Sequence, residues 1–347
     1  MIRLSTIVKQ FATITHQRYP LLPSQLKALS AWQICRTDQA PLMQLRCNDC
    51  EQPRYVPHSC GHRHCPHCQH HQSQQWLARQ LQKQFPARYF MLTFTLPAEL
   101  RSLVWQHQRV VYDQLMQCSW ATLQQFSHND KQLQGMPGAT SVLHTHNRRL
   151  DYHPHVHMIV PGGGVDQKQG QWKTVNGKYL FNGVALAKVF KGKLLNAMQH
   201  AGFVLPATPK QWVAQCQHVG KGLAALKYLS RYLYRGVISN KNIISDDGTF
   251  VTFQYTDSNT KKIKTRRLKG EDFIHLILQH TLPKGFRRVR DYGFLHGNAK
   301  RVLKTLQWVL RVSLPILEKN KRPAFICPQC HALMSIVGFS KPKLQPG

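Results

Sequence analysis

Three groups of side chains in this sequence have types and spacings suited to chemistry. His155 and His157 stand one residue apart in Asp151-Tyr-His-Pro-His-Val-His-Met-Ile-Val-Pro161. In an extended strand they leave the same face about 7 Å apart, while Val156 points the other way. Each imidazole carries a polar nitrogen that must be satisfied if buried, so the pair is poor packing material and good material for a cation. The second group is Cys47-Asn-Asp-Cys50 followed by His58-Ser-Cys-Gly-His-Arg-His-Cys-Pro-His-Cys68, which contains two C-x2-C knuckles with fourteen residues between them. Two knuckles can close a tetrahedral site, so Cys47, Cys50, Cys65 and Cys68 are expected to hold a structural Zn2+, with Cys60 and His64 able to substitute or to join a second site. Cys327 and Cys330 supply half a site, completed by His331 or by distant residues, or left empty. The third group is Tyr228 and Tyr232, four residues apart and therefore on one face of a helix, with Lys227, Arg231 and Arg235 placed to hold a phosphate.

These side chains need elements to aim them. The β-prone run from Tyr152 predicts a strand for the histidines, ended by Pro161 and Gly162 to Gly164 in a turn or loop. A strand over 140–146 precedes it. If the two form a hairpin centred near Leu150, His144 lies across from His157 and His146 from His155, which offers a third ligand or a supporting partner. Helical periodicity predicts helices over 20–36, 69–84, 98–127, 184–200, 221–235, 271–280 and 297–312. Strands are expected over 89–96 and 250–255, with a hairpin around 172–181. The expected class is α+β: an antiparallel sheet carrying the histidine pair, covered by helices, with the tyrosine helix facing it across a basic cleft. Three parts are expected: a zinc-binding, DNA-binding module over 1–85, a catalytic core over 86–240, and a basic region over 241–347 ending in the cysteine pair.

Composition narrows the partners. Forty-seven Lys and Arg against fifteen Asp and Glu give a formal charge of +32 over 347 residues. A compact chain so charged repels itself unless a polyanion shares its surface, and nucleic acid is the natural one. The sequence starts without the apolar run of a signal peptide, and no window approaches the roughly 18 apolar residues of a membrane span. A soluble, intracellular protein with no membrane partner is expected, and cysteine spacing in a reducing compartment points to metal rather than disulfides.

The cysteine-histidine cluster, His153-Pro-His-Val-His-Met-Ile-Val-Pro-Gly-Gly163 and Lys227-Tyr-Leu-Ser-Arg-Tyr-Leu-Tyr-Arg235, in that order, resemble the rolling-circle insertion-sequence transposases of bacteria, a branch of the HUH endonuclease superfamily. Pro283-x-Gly-Phe-x-x-Val-Arg-x-Tyr-Gly293 is similar to a later segment of that family. The resemblance implies that His155 and His157 are ligands of a catalytic Mg2+ or Mn2+, with His144 or His153 as third ligand. It implies that Tyr228 and Tyr232 are nucleophile positions, Tyr232 being favoured if one acts alone. Attack on DNA would leave a 5′-phosphotyrosine and a free 3′-hydroxyl, and rejoining would need no nucleotide, consistent with the absence of a G-x4-G-K-[ST] loop. The expected partner is single-stranded or melted DNA at element ends, in the bacterial cytoplasm at the nucleoid. Two alternatives accompany this reading: a plasmid rolling-circle replication initiator or relaxase using the same chemistry, and a non-catalytic zinc-dependent DNA-binding regulator.

Overall fold

The computed structural model describes residues 2–340 apart from 66, 67, 69, 167, 176, 222–236, 258, 259 and 316–323. The helix expected over 221–235 lies outside the described residues, except for Lys221.

The histidine strand β5 (Tyr152–Pro161) sits inside the largest sheet, between β4 (Met136–His146) and β3 (Arg88–Thr95), with β8 (Ala214–Lys221) beyond β3. The other edge of β4 is shared by β12 (Val289–Gly293) and by the small hairpin β6 (Gly163–Asp166) and β7 (Gln171–Thr174). All pairings among these seven strands are antiparallel. Their period-two alternation sets the two faces. Val156, Met158 and Val160 of β5, Phe90, Leu92 and Phe94 of β3 and Leu143 of β4 enter the main core. That face is covered by α5 (Gln108–Asn129) and α6 (Gly183–His200), which contribute Leu115, Met116, Leu186, Phe190 and Leu194. Burying each such side chain is worth about 1.5–3 kcal/mol, so the strand is held by one face while the other is left to carry function. The Asn182 side chain accepts from the Ala185 N–H at 3.0 Å and starts α6.

The second face of the sheet is divided along its length. At one end Tyr89, Val142 and Ile159 pack against Trp76 of α3 (His70–Leu81). At the other end the same alternation delivers His144, His155 and His157.

Several expectations are corrected. Strand β5 runs through Pro161, and the triple glycine passes into β6 rather than into a loop. The expected 172–181 hairpin lies earlier, as β6–β7, because Trp172 packs over Gly163: a Cβ there would come within 2.2 Å of the indole. The single helix expected over 98–127 is a 3-10 turn, then α4 (Arg101–Gln106), then α5, broken at His107, whose ring packs 4.8 Å from Phe203. The elements not anticipated include β8 and α1 (Leu4–Arg18).

Helix α1, α2 (Pro23–Ile34), the sheet of β9 (Ile243–Asp246), β10 (Phe250–Thr256) and β11 (Ile263–Lys269), and α7 (Gly270–Leu278) share a second core. Leu4, Ile7, Val8 and Phe11 meet Phe253, Phe273, Ile274 and Ile277 there. A third sheet, in the order β13 (Phe325–Ile326), β14 (Leu333–Ser340), β1 (Leu42–Cys47), β2 (Pro53–Pro57), again joins distant parts of the chain. The regions expected over 1–85 and 241–347 are therefore interleaved in space, since hydrophobic faces too small to bury alone bury against each other. Helix α8 (Lys300–Val309) seats Leu306 against Phe85, Phe294 and Leu295.

Candidate active site

Strands β4 and β5 pair His144 with His155 and Val142 with His157, and a bulge shifts the register between His144 and His146. The pairing sits two residues away from the expected one, because the bulge and the 147–151 turn take up chain that a symmetric hairpin would have paired. His144 nonetheless stays on the site face, its ring 5.3 Å from that of His155 and 4.8 Å from that of His157, and the His155 and His157 rings are 4.7 Å apart. Ligand nitrogens of His144, His155 and His157 all lie within 4.8 Å of one another.

Burial keeps these rings neutral. All three are less than 9% exposed, and desolvation is the first cause holding His144 and His157 well below the usual imidazole range and His155 down to about 4. A metal ligand needs that neutral form. Hydrogen bonds orient the rings as ligation requires. His155 Nδ1 donates to the His153 carbonyl at 2.6 Å, which turns Nε2 outward, and His157 Nδ1 lies 2.9 Å from Thr93 Oγ1. With Nδ1 of His155 and of His157 engaged by an oxygen, Nε2 of each is left for a cation. The donor set, three neutral imidazoles converging on one point, fits a divalent cation.

The histidine row continues past the trio. His146 lies 4.7 Å from His280 between ring centroids, and His280 bridges Thr145 Oγ1 through Nδ1 and the Leu150 carbonyl through Nε2, each at 3.2 Å. A cavity of about 30 Å³ opens beside them, lined by His64, His146, Val237, His280 and Arg288 among others. The Arg288 guanidinium bonds the Leu143 carbonyl at 3.1 Å, and its charge contributes to lowering every one of these imidazoles. Residue-type reasoning on the sequence missed Thr93 and also Arg288. Its only signal there was its place inside the Pro283–Gly293 motif.

The other expected residues fall as follows. His153 stands outside the trio: its Nδ1 meets Arg101 at 2.9 Å and its carbonyl holds His155. Tyr228, Tyr232, Lys227, Arg231 and Arg235 lie outside the described residues. The four cysteines expected in one site are divided between two. Cys65 and Cys68 join Cys35 and Cys60, whereas Cys47 and Cys50 join Cys327 and Cys330. The reason is strand pairing: β14 lies against β1 and carries the Cys327 turn onto the Cys47 turn, while Cys35, at the end of α2, reaches the other knuckle. His64 is in neither quartet and accepts from Arg63 Nε at 2.8 Å. Within the first quartet, sulfurs lie 3.5–3.6 Å apart. Tetrahedral zinc with bonds of about 2.3 Å would put them about 3.8 Å apart, so this donor set also fits its ion.

Comparison with known proteins agrees with this layout. Residues 138–302, which include the histidine trio and Arg288, match a family described as "Putative transposase", and residues 7–96 match the "Transposase zinc-binding domain". The transposase for insertion sequence element IS801 of Pseudomonas savastanoi pv. phaseolicola is 27% identical over 267 residues, covering 72% of this chain and 64% of that protein. Over these spans the chain is similar to insertion-sequence transposases. A Sinorhizobium fredii relative named "Putative transposase y4qJ" is 28% identical over 355 residues, covering 91% of this chain and 89% of its own length. Among solved structures, the conjugative relaxase TrwC in complex with mutant OriT DNA is 13% identical, with a TM-score of 0.28 over 65% of this chain and 75% of that one. The +32 charge of the chain suits a polyanionic partner, in keeping with this likeness. No helix among the described residues is long and apolar enough to cross a membrane. Five tryptophans are engaged within the fold: Trp76 and Trp212 are buried, Trp105 packs edge-on against Tyr152, Trp120 stacks on Tyr292 and Trp172 on Phe85.

Proposed function

We propose that this chain is a transposase that cuts and rejoins single-stranded DNA through a 5′-phosphotyrosine during rolling-circle transposition, with His144, His155 and His157 holding Mg2+ or Mn2+ and Tyr228 or Tyr232 attacking. The observation that carries the reading is the position of the trio relative to the flanks of the tyrosine segment. Lys221 ends β8 opposite Arg88, at the far end of the sheet from the trio. Val237, the first described apolar residue after the segment, lines the cavity with His146 and His280. Tyr232 stands five residues before Val237 and Tyr228 nine, which favours Tyr232 for first attack.

A divalent cation on the trio would polarise the scissile phosphate and orient it for in-line displacement. The remaining work belongs to the chain. The tyrosine oxygen bonds to phosphorus, the bond to the 3′ oxygen breaks, and that oxygen leaves as a hydroxyl with a proton. A free tyrosine has a pKa near 10, so about one in a thousand is ionised at pH 7. Arg288, with Lys227, Arg231 and Arg235, would supply positive charge against the phenolate and the phosphate. Because the phosphotyrosine retains much of the broken bond's free energy, the 3′-hydroxyl of another strand can displace it, and two tyrosines would allow two strands to be held in turn.

The test is a denaturing gel of protein incubated with labelled single-stranded element-end DNA and Mg2+ or Mn2+. A covalent adduct is expected, lost in Tyr228→Phe/Tyr232→Phe and retained in at least one single variant. An adduct that survives the double substitution would refute the nucleophile assignment. No adduct from folded, metal-loaded protein would favour a DNA-binding regulator.

A further inference from the structure

We infer that Cys47, Cys50, Cys327 and Cys330 hold a structural zinc ion of their own, and that it fastens the 325–340 hairpin to the 42–57 hairpin. Residues 327 and 330 fall outside both matched family segments.

Four observations converge. First, the sulfurs form a closed group: Cys47 to Cys330 is 3.4 Å, Cys50 to Cys330 3.4 Å and Cys50 to Cys327 3.6 Å. Cys330 thus neighbours two sulfurs equally, which a four-ligand site does and a disulfide, pairing two atoms at about 2.05 Å, does not.

Second, the same turn is built twice. The Cys47 N–H donates to the Gln52 carbonyl and the Cys327 N–H to the Ala332 carbonyl, at 3.1 and 2.9 Å. The residue after each second cysteine, Glu51 or His331, is left-handed, with φ of 57° and 59°. Two matched turns brought face to face make a pseudo-symmetric ligand cage.

Third, each turn aims backbone N–H groups at the sulfur of its first cysteine. The N–H groups of Cys50 and Asp49 point at the Cys47 sulfur, and those of Cys330 and Gln329 at the Cys327 sulfur. Hydrogen bonds of this kind favour the anionic ligand form.

Fourth, the sheet they tie together has almost no core. Leu45, Cys47, Cys327 and Met334 are the buried members, and two of those are cysteines. So few apolar side chains cannot order four strands unaided, and a metal site supplies what the core lacks. The ligand His331 offered by the sequence is exposed and lies outside the quartet.

The experiment is elemental analysis of full-length protein purified without chelator, comparing wild type, Cys327→Ser/Cys330→Ser, and Cys35→Ser/Cys60→Ser. Each double variant is expected to lose one zinc per chain relative to wild type; taken as a difference, any zinc on the histidine trio cancels. Cys330→His should keep the ion, since imidazole replaces thiolate as a zinc ligand. Should the serine variants fail to fold, alkylation of the wild type decides. Cys50 and Cys330 are exposed, yet both should react with iodoacetamide about tenfold more slowly until zinc is stripped. Undiminished zinc in a folded Cys327→Ser/Cys330→Ser protein, free reactivity of both thiols before stripping, or a disulfide recovered among the four cysteines would overturn the inference.

Discussion

The histidine site and the cysteine sites are assembled in opposite ways. His144 and His155 are paired across adjacent strands, and His157 follows on the same strand and face; the sheet beneath them rests on the largest core of the molecule. Removing whatever the trio binds should leave its scaffold standing. The quartet of Cys47, Cys50, Cys327 and Cys330 draws its ligands from segments up to 283 residues apart, over a cluster of a few buried side chains. There an ion and the local fold would form as one event. A catalytic centre must release and re-engage its substrate on a surface that does not move, whereas a structural ion need only hold segments together; the two arrangements match those demands.

Zinc removal should expose this difference most strongly, because structural zinc in small modules contributes about 10 kcal/mol or more to folding. Stripping the protein with a thiol-directed mercurial and a chelator is expected to abolish amide protection over 42–57 and 325–340 while β3, β4 and β5 stay protected in hydrogen exchange. Uniform loss across both regions would erase the distinction drawn above.

The reverse experiment acts on chemistry alone. His157→Ala should lower DNA nicking by about a thousandfold, the scale expected when a group stabilising transition-state charge is removed, while the thermal midpoint moves only slightly. Phe94→Ala, on the same sheet but the opposite face, should do the opposite: it costs about 3–5 kcal/mol of stability and leaves nicking per folded molecule intact. If His157→Ala melts the sheet as far as Phe94→Ala does, the trio is structural.

A smaller effect separates ligands from their supports. Thr93→Val removes the oxygen that orients His157 and keeps the volume, so affinity for Mn2+, read by electron paramagnetic resonance, should fall about 10- to 100-fold. Thr93→Ser should restore it. Equal affinity in wild type and valine variant would mean that the Thr93 contact does not set the ring.

The contrast also explains what could be read from the sequence. The alternation of His155, Val156, His157 and Met158 is local, and burial on one face follows directly from it; so do the α6 helix and the β3 and β10 strands. The helical periodicity of Leu4, Ile7, Val8 and Phe11 is equally local. The register of His144 is not, because a bulge between His144 and His146 adds a residue that no local pattern announces. Division of the cysteines was beyond reach as well: spacing identifies a knuckle, but which knuckle faces which is decided by β1 pairing with β14 across nearly the whole chain. Arg288 and Thr93 matter through position, and nothing in their residue type distinguishes them from other arginines and threonines.

The finest test concerns protons and separates buried histidines that would bind metal from one that would not. Desolvation lowers His280 from the ordinary value near 6.5 to about 3. Between those values the unfolded chain binds a proton that the folded chain excludes, so stability is fully present above about pH 6.5 and is lost as pH falls through that window. Each such group contributes a slope of up to about 1.4 kcal/mol per pH unit. His280 donates through Nε2 to the Leu150 carbonyl and accepts at Nδ1 from Thr145, and a glutamine amide can make both bonds without titrating. His280→Gln should therefore flatten the dependence of urea-unfolding stability on pH between 6.5 and 4.5 by about one proton's slope, with metal affinity unchanged. The same measurement on His155→Gln should flatten the slope and also abolish metal binding, since His155 is lowered to about 4 by the same burial but belongs to the trio. Were His280→Gln to lose the metal as well, the ligand set would extend along the row to His146 and His280, and the boundary between site and scaffold would have to be redrawn there.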